Sequence, residues 1–109
     1  MHELSITQGV VRTVAERTGG RRVTGVRLRV GALSGVVPEA IRFCFELATA
    51  GTPLDGARLE IEDEPGRGRC RTCGDEFAMP DLFPRCPCGS TDAEVVAGRS
   101  LTVATVEVA

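Results

Sequence analysis

At 109 residues the chain is the size of one small domain, able to bury a modest core without disulfides. Its 13 basic residues, every one an arginine, stand against 15 acidic ones for a net charge of -2, which speaks against the clustered basic face that nucleic acid or an anionic membrane requires. The absence of Tyr and Trp, with only 4 Phe, weakens any role that needs aromatic stacking platforms.

The chain opens MHELSITQGV, with its only histidine at position 2. No basic run leads into an apolar stretch and a small-residue cleavage site, and no apolar run approaches membrane-spanning length. The expectation is a soluble, cytoplasmic protein. In that reducing compartment the 5 cysteines point to metal or redox chemistry before disulfides.

The periodicity of residues 4–17 predicts an amphipathic helix, with Leu4, Ile6, Val10, Val11, Val14 and Ala15 on one half of the wheel and a stop at Gly19–Gly20. VTGVRLRVG then alternates as a half-buried strand, Val26, Leu28 and Val30 on one face and Arg27 and Arg29 on the other. PEAIRFCFELATAG predicts a second helix, with Pro38 suited to its first turn and Gly51 to its stop. Its apolar residues wrap most of the wheel and leave Glu39, Arg42, Glu46 and Thr49 as a narrow polar stripe, so it should be the more buried helix. Cys44, on its apolar side, reads as a small core hydrophobe.

ARLEIED predicts a second alternating strand, whose Glu60 and Glu62 can pair with Arg27 and Arg29 across the sheet. SLTVATVEVA predicts a third, with a phase shift near Ala104 that marks a bulge. Strands with one polar face cannot carry helices on both sides. The expected fold is therefore α+β, two helices on one face of a three-stranded sheet. Residues 67–96 form an inserted cysteine-rich module, which leaves 1–66 and 97–109 as a discontinuous main domain.

The module carries Cys70-x2-Cys73 and Cys86-x-Cys88, with Gly74 and Gly89 after the pairs. Four thiolates from two short turns converge on tetrahedral zinc, and closed four-cysteine sites are structural. So small a segment lacks a core, and metal binding would supply its folding free energy. A thioredoxin-like redox pair would open a helix in a βαβ unit, and a zinc deaminase would need His-x-Glu with Pro-Cys-x-x-Cys. Neither pattern is present. Cys86 and Cys88 sit one residue apart, and in an extended segment both would share a face.

A terminal histidine can be an idle, frayed residue. It can also be a site. A large second residue normally blocks removal of the initiator methionine, so the α-amine belongs to Met1. That amine, the His2 amide and the His2 imidazole lie at chelating distance along the chain, and the Glu3 amide completes a planar nitrogen set. The first N–H groups of a helix stand outside its hydrogen-bond ladder. Planar nitrogen ligation suits Ni(II) or Cu(II) and not Zn(II). Glu3 also suits a helix N-terminus through the dipole alone.

MHE at the start, VPEAIRFCFE in the second helix, the two cysteine pairs and CGS before the last strand together resemble the HypA/HybF family of nickel-delivering maturation factors of [NiFe] hydrogenases. The resemblance runs over essentially the whole chain. It implies a nickel site centred on His2, with Met1 and Glu3 contributing terminal or backbone nitrogens, and structural zinc at Cys70, Cys73, Cys86 and Cys88. It further implies a metallochaperone and not an enzyme; the sequence leaves both a monomer and a weak homodimer open. Such a protein cooperates with the GTPase HypB and inserts nickel into the hydrogenase large-subunit precursor, with no nucleic acid or membrane partner. The family typically has Cys-x-x-Cys in both pairs, and the Cys86-Pro87-Cys88 spacing departs from it.

The rival reading is a zinc-ribbon adaptor for protein or RNA with an idle terminus, supported by Arg67, Arg69, Arg71 and Arg85 around the cysteines. An enzyme finds little support, since the chain offers no second histidine and no plausible triad.

Overall fold

The computed structural model describes residues 2–109. The elements in chain order are α1 (Glu3–Arg17), β1 (Val23–Gly31), α2 (Pro38–Thr49), β2 (Arg58–Glu64), β3 (Arg67–Cys70), β4 (Glu76–Ala78), β5 (Ala93–Ala97) and β6 (Leu101–Val108). They build two three-stranded sheets, β2-β1-β6 and β4-β3-β5, the second inserted between strands of the first. The radius of gyration, 16.8 Å, exceeds the roughly 13 Å of a compact chain this long. The molecule is correspondingly elongated, 52 × 25 × 17 Å.

In the first sheet β1 is central, parallel to β2 and antiparallel to β6. Parallel neighbours need a crossover, and α2 supplies it. The alternation of β1 buries Val26, Leu28 and Val30 under the helices and turns Arg27 and Arg29 outward. Register sets Arg27 opposite Glu60 and Arg29 opposite Glu62, and both pairs form, at 3.5 and 3.0 Å. Exposed pairs of this kind contribute a few tenths of a kcal/mol. The phase shift near Ala104 is a bulge: Arg27 faces Thr105, Leu28 faces Val103, and Ala104 is the extra residue.

Val10, Val11 and Val14 of α1 and Ile41 and Phe45 of α2 pack on β1, with Leu54 from the turn before β2 closing the core. α2 is not the more buried helix. It buries one stripe, Ile41, Phe45 and Thr49, while Phe43 and Leu47 are 71% and 60% exposed. The predicted polar residue Thr49 lies inside because its hydroxyl donates to the Phe45 carbonyl at 2.8 Å. Thr7 of α1 is buried in the same way, donating to the Glu3 carbonyl. A three-stranded sheet under two helices leaves no third layer to cover the outer face of α2, so its remaining apolar residues face solvent. Cys44 is only half-buried and lies outside the buried core cluster.

This asymmetry is measurable. Ile41→Ala, at a wholly buried position, is expected to cost about 2–5 kcal/mol in denaturant unfolding. Phe43→Ala should stay within about 0.5 kcal/mol. Equal losses would show that the outer face of α2 is packed.

The second sheet does have a small core: Phe77, Met79, Cys70 and Cys86, completed by Leu33 from the loop after β1. The main sheet thus lends the module a side chain. The two meet at a tight crossing. The Leu33 amide donates to the Gly98 carbonyl at 2.7 Å, the Gly98 amide to a Glu64 carboxylate oxygen at 2.9 Å, and the Ala32 amide to the Glu64 carbonyl at 2.9 Å. Gly66, Gly68 and Gly98 are buried there.

Candidate metal centre

Cys70 ends β3 and Cys73 lies in the turn that follows, closed by the Gly74 amide donating to the Cys70 carbonyl at 2.9 Å. The second pair arrives on a separate turn, not on an extended segment. The Gly89 amide donates to the Cys86 carbonyl at 2.9 Å, and Pro87 and Cys88 occupy the corner. Proline's fixed φ suits the first corner of such a turn, and Gly89 follows with φ +94°. A one-residue spacer therefore bends both thiols toward one point.

All four sulfurs fall within 4.8 Å of one another. Cys70 and Cys88 sulfurs are 3.7 Å apart, Cys73 and Cys86 sulfurs 3.6 Å. With Zn–S bonds of about 2.3 Å, corners of a tetrahedron stand about 3.8 Å apart. The four-cysteine cluster is thus suited to structural zinc, with two buried thiols and two exposed ones.

Backbone amides prepare the charge that a metal needs. The Cys73 amide, followed by that of Thr72, donates to the Cys70 sulfur and helps bring its pKa down to about 6. The Cys86 thiol is pushed up to about 12: the Cys88 amide opposes the rise, but burial and the neighbouring cysteine sulfurs outweigh it. The amides thus favour the thiolate at Cys70, whereas Cys86 would release its proton to solvent as a metal binds.

Outer partners that sequence reasoning missed tie the two turns together. Thr72 and Ser90 hydroxyls lie 2.9 Å apart, and Arg71 pairs with Asp92 at 2.9 Å. Ser90 belongs to the CGS motif, which was the one available signal. The arginines around the cysteines are neutralised: Arg67 and Arg69 share Glu76, Arg71 takes Asp92 and Arg85 takes Asp81. That removes the free basic cluster on which an RNA-binding ribbon would rest.

At the other end of the molecule, His2 is the exposed N-cap of α1, with its carbonyl accepting from the Ile6 amide at 2.9 Å and its imidazole unpartnered among the described residues. Glu3 opens the helix, and its carboxylate accepts from the Val37 amide at 3.5 Å, which ties the start of α1 to the start of α2. Met1 lies outside the described residues. Among the described residues the four cysteines are the only group of three or more His, Cys, Asp or Glu side chains placed to share a metal.

The sequence profile of a family described as hydrogenase/urease nickel incorporation, metallochaperone, hypA matches residues 1–108. The chain belongs to the HypA family. A hydrogenase maturation factor HypA from Geobacter metallireducens is 54% identical over 109 residues, covering 99% of each chain. Another, from Nostoc punctiforme, is 45% identical over 108 residues, covering 99% of this chain and 96% of its own. The fold is that of the solution structure of the Ni metallochaperone HypA from Helicobacter pylori, at TM-score 0.72 and 21% identity over 99% of this chain and 97% of that one. As a HypA-family member the chain is a nickel-incorporation factor by family, and the shortened second cysteine pair still closes its four-sulfur cluster.

Proposed function

We propose that this protein takes up Ni(II) at its N-terminus and delivers it, with a HypB-type GTPase, to a [NiFe] hydrogenase large-subunit precursor in the cytoplasm, without catalysing a reaction itself. The observation that carries this reading is His2, an exposed imidazole with no partner among the described residues, at the first turn of α1 in a HypA-family chain. The ligands are the His2 imidazole and amide with nitrogens of Met1 and Glu3. Such a site holds its cargo on a chain end that a receiving protein can reach. Residues 1–66 with 97–109 form the nickel domain, and 67–96 the zinc domain held by Cys70, Cys73, Cys86 and Cys88. No helix among the described residues is long and apolar enough to cross a membrane.

Titration of Ni(II) into zinc-loaded protein, followed by calorimetry and absorption, tests this reading. The native terminus is expected to bind one nickel with a planar spectrum. His2→Ala, and a form extended before Met1, should weaken it by more than about 100-fold, beyond the 10–100-fold typical of outer-shell changes. Affinity should also fall as pH drops, because protons compete for the amine and imidazole. Three equal isotherms would place nickel elsewhere and favour the adaptor reading.

A further inference from the structure

A groove runs between α1 and the edge strand β6. Two depressions form it: one between Ile6, Val10, Leu101 and Val103, the other between Val14, Val103 and Val106, and they share Thr13 and Val103. β6 bonds to β1 on one side only, so its other edge lies open along the groove. The floor is apolar, and Val103 is 37% exposed.

The rim carries an unusual charge. Among the described residues, every arginine but three pairs with a carboxylate or donates to a backbone carbonyl. The three exceptions are Arg12, Arg17 and Arg99, and all three line this groove. Arg17 also suits the last turn of α1 through the helix dipole, so Arg12 and Arg99 carry most of the weight.

We propose that this groove receives an extended protein segment in which apolar side chains alternate with carboxylates. The apolar side chains enter over Val10, Val103 and Val106, and the carboxylates meet Arg12 and Arg99. From Leu101 to Val106 the strand offers about 17 Å at roughly 3.3 Å per residue, which matches a segment of about six residues. Addition beside a free strand edge, with alternate side chains in pockets, is a recurrent mode of peptide capture. The bulge at Ala104 interrupts the edge and keeps main-chain pairing short, so side chains and charge provide most of the recognition.

A second copy fits poorly. Pairing β6 with β6 would bring two sets of arginines together. The acidic residues Glu60 and Glu62 on β2 are moreover already taken by Arg27 and Arg29. At its Ile6 end the groove lies one helical turn from His2. The inference does not require nickel at that end.

The test uses zinc-loaded, nitrogen-15-labelled full chain and a peptide of about seven residues alternating Glu or Asp with Val, against its Gln/Asn counterpart. Saturable amide shifts confined to the groove face of α1 and to β6 are expected, with the neutral peptide about tenfold weaker. Arg12→Glu combined with Arg99→Glu should lower affinity by at least about tenfold. Val103→Glu should block binding with the rest of the spectrum unchanged. The proposal fails if shifts appear elsewhere, if both peptides bind alike, or if nothing binds up to ~5 mM. It fails also if inorganic phosphate competes equally, which would make the groove a simple anion patch. The same shifts on concentrating the protein alone would mean that a second copy fills the groove.

Discussion

Cys70→Ser is expected to abolish stoichiometric zinc binding and to unfold residues 67–96 while the β2-β1-β6 sheet and its helices persist. Cys70 is the most buried of the four cysteines, its sulfur receives the Cys73 and Thr72 amides, and it ends the central strand of the small sheet. Apart from cysteines, that sheet's buried core among the described residues is Leu33, Phe77 and Met79. Three buried side chains are too few to order some thirty residues by themselves, and in small metal-bound modules of this kind the metal's binding free energy is folding free energy. The main core, by contrast, contains no cysteine ligand. Amide spectra of the variant, and of wild type stripped by a chelator, should therefore lose dispersion for β3, β4 and β5 and keep it for β1. Retained dispersion throughout would mean that the module folds on packing alone.

Gly98→Ala should be strongly destabilising, at about 3–5 kcal/mol, a large share of a small domain's stability. Two independent penalties add. Gly98 has φ +85°, a left-handed backbone that side chains rarely adopt, and an added Cβ would lie 2.6 Å from both the Gly66 Cα and the Pro65 carbonyl oxygen. Those neighbours are backbone and cannot swing aside. The Gly98 carbonyl and amide also hold Leu33 and Glu64, so a shift there loosens the crossing between the sheets. Gly19→Ala provides the control: φ is +65° but nothing lies within 4 Å of the added methyl. It should cost about 1 kcal/mol, the backbone strain alone. Denaturant midpoints of the two variants separate the contributions, and equal losses would refute close approach at Gly98.

Much of this molecule is written in local spacing. Alternation in VTGVRLRVG sets which face of β1 is buried, the Arg and Glu alternation of β1 and β2 anticipates their pairing, and the broken phase at Ala104 is the observed bulge. Paired cysteines at short spacing announce the metal cluster that the fold assembles. Each of these depends on chain geometry over a few residues, where period and reach are fixed by the backbone.

What depended on the assembled fold is of another kind. The apolar wrap of α2 suggested burial, yet Phe43 and Leu47 face solvent because the number of layers, not the helix, decides what is covered. Leu33 and Leu54 are core residues in loops, where no periodicity marks them. Gly66 and Gly98 stand 32 residues apart and touch only because the inserted sheet returns the chain to its starting point. Likewise, which arginines find carboxylates and which three line the α1–β6 groove is a matter of partners brought from distant segments. Periodicity is a short-range property of the backbone, whereas burial and ion pairing are long-range sums over neighbours that exist only once the chain has folded.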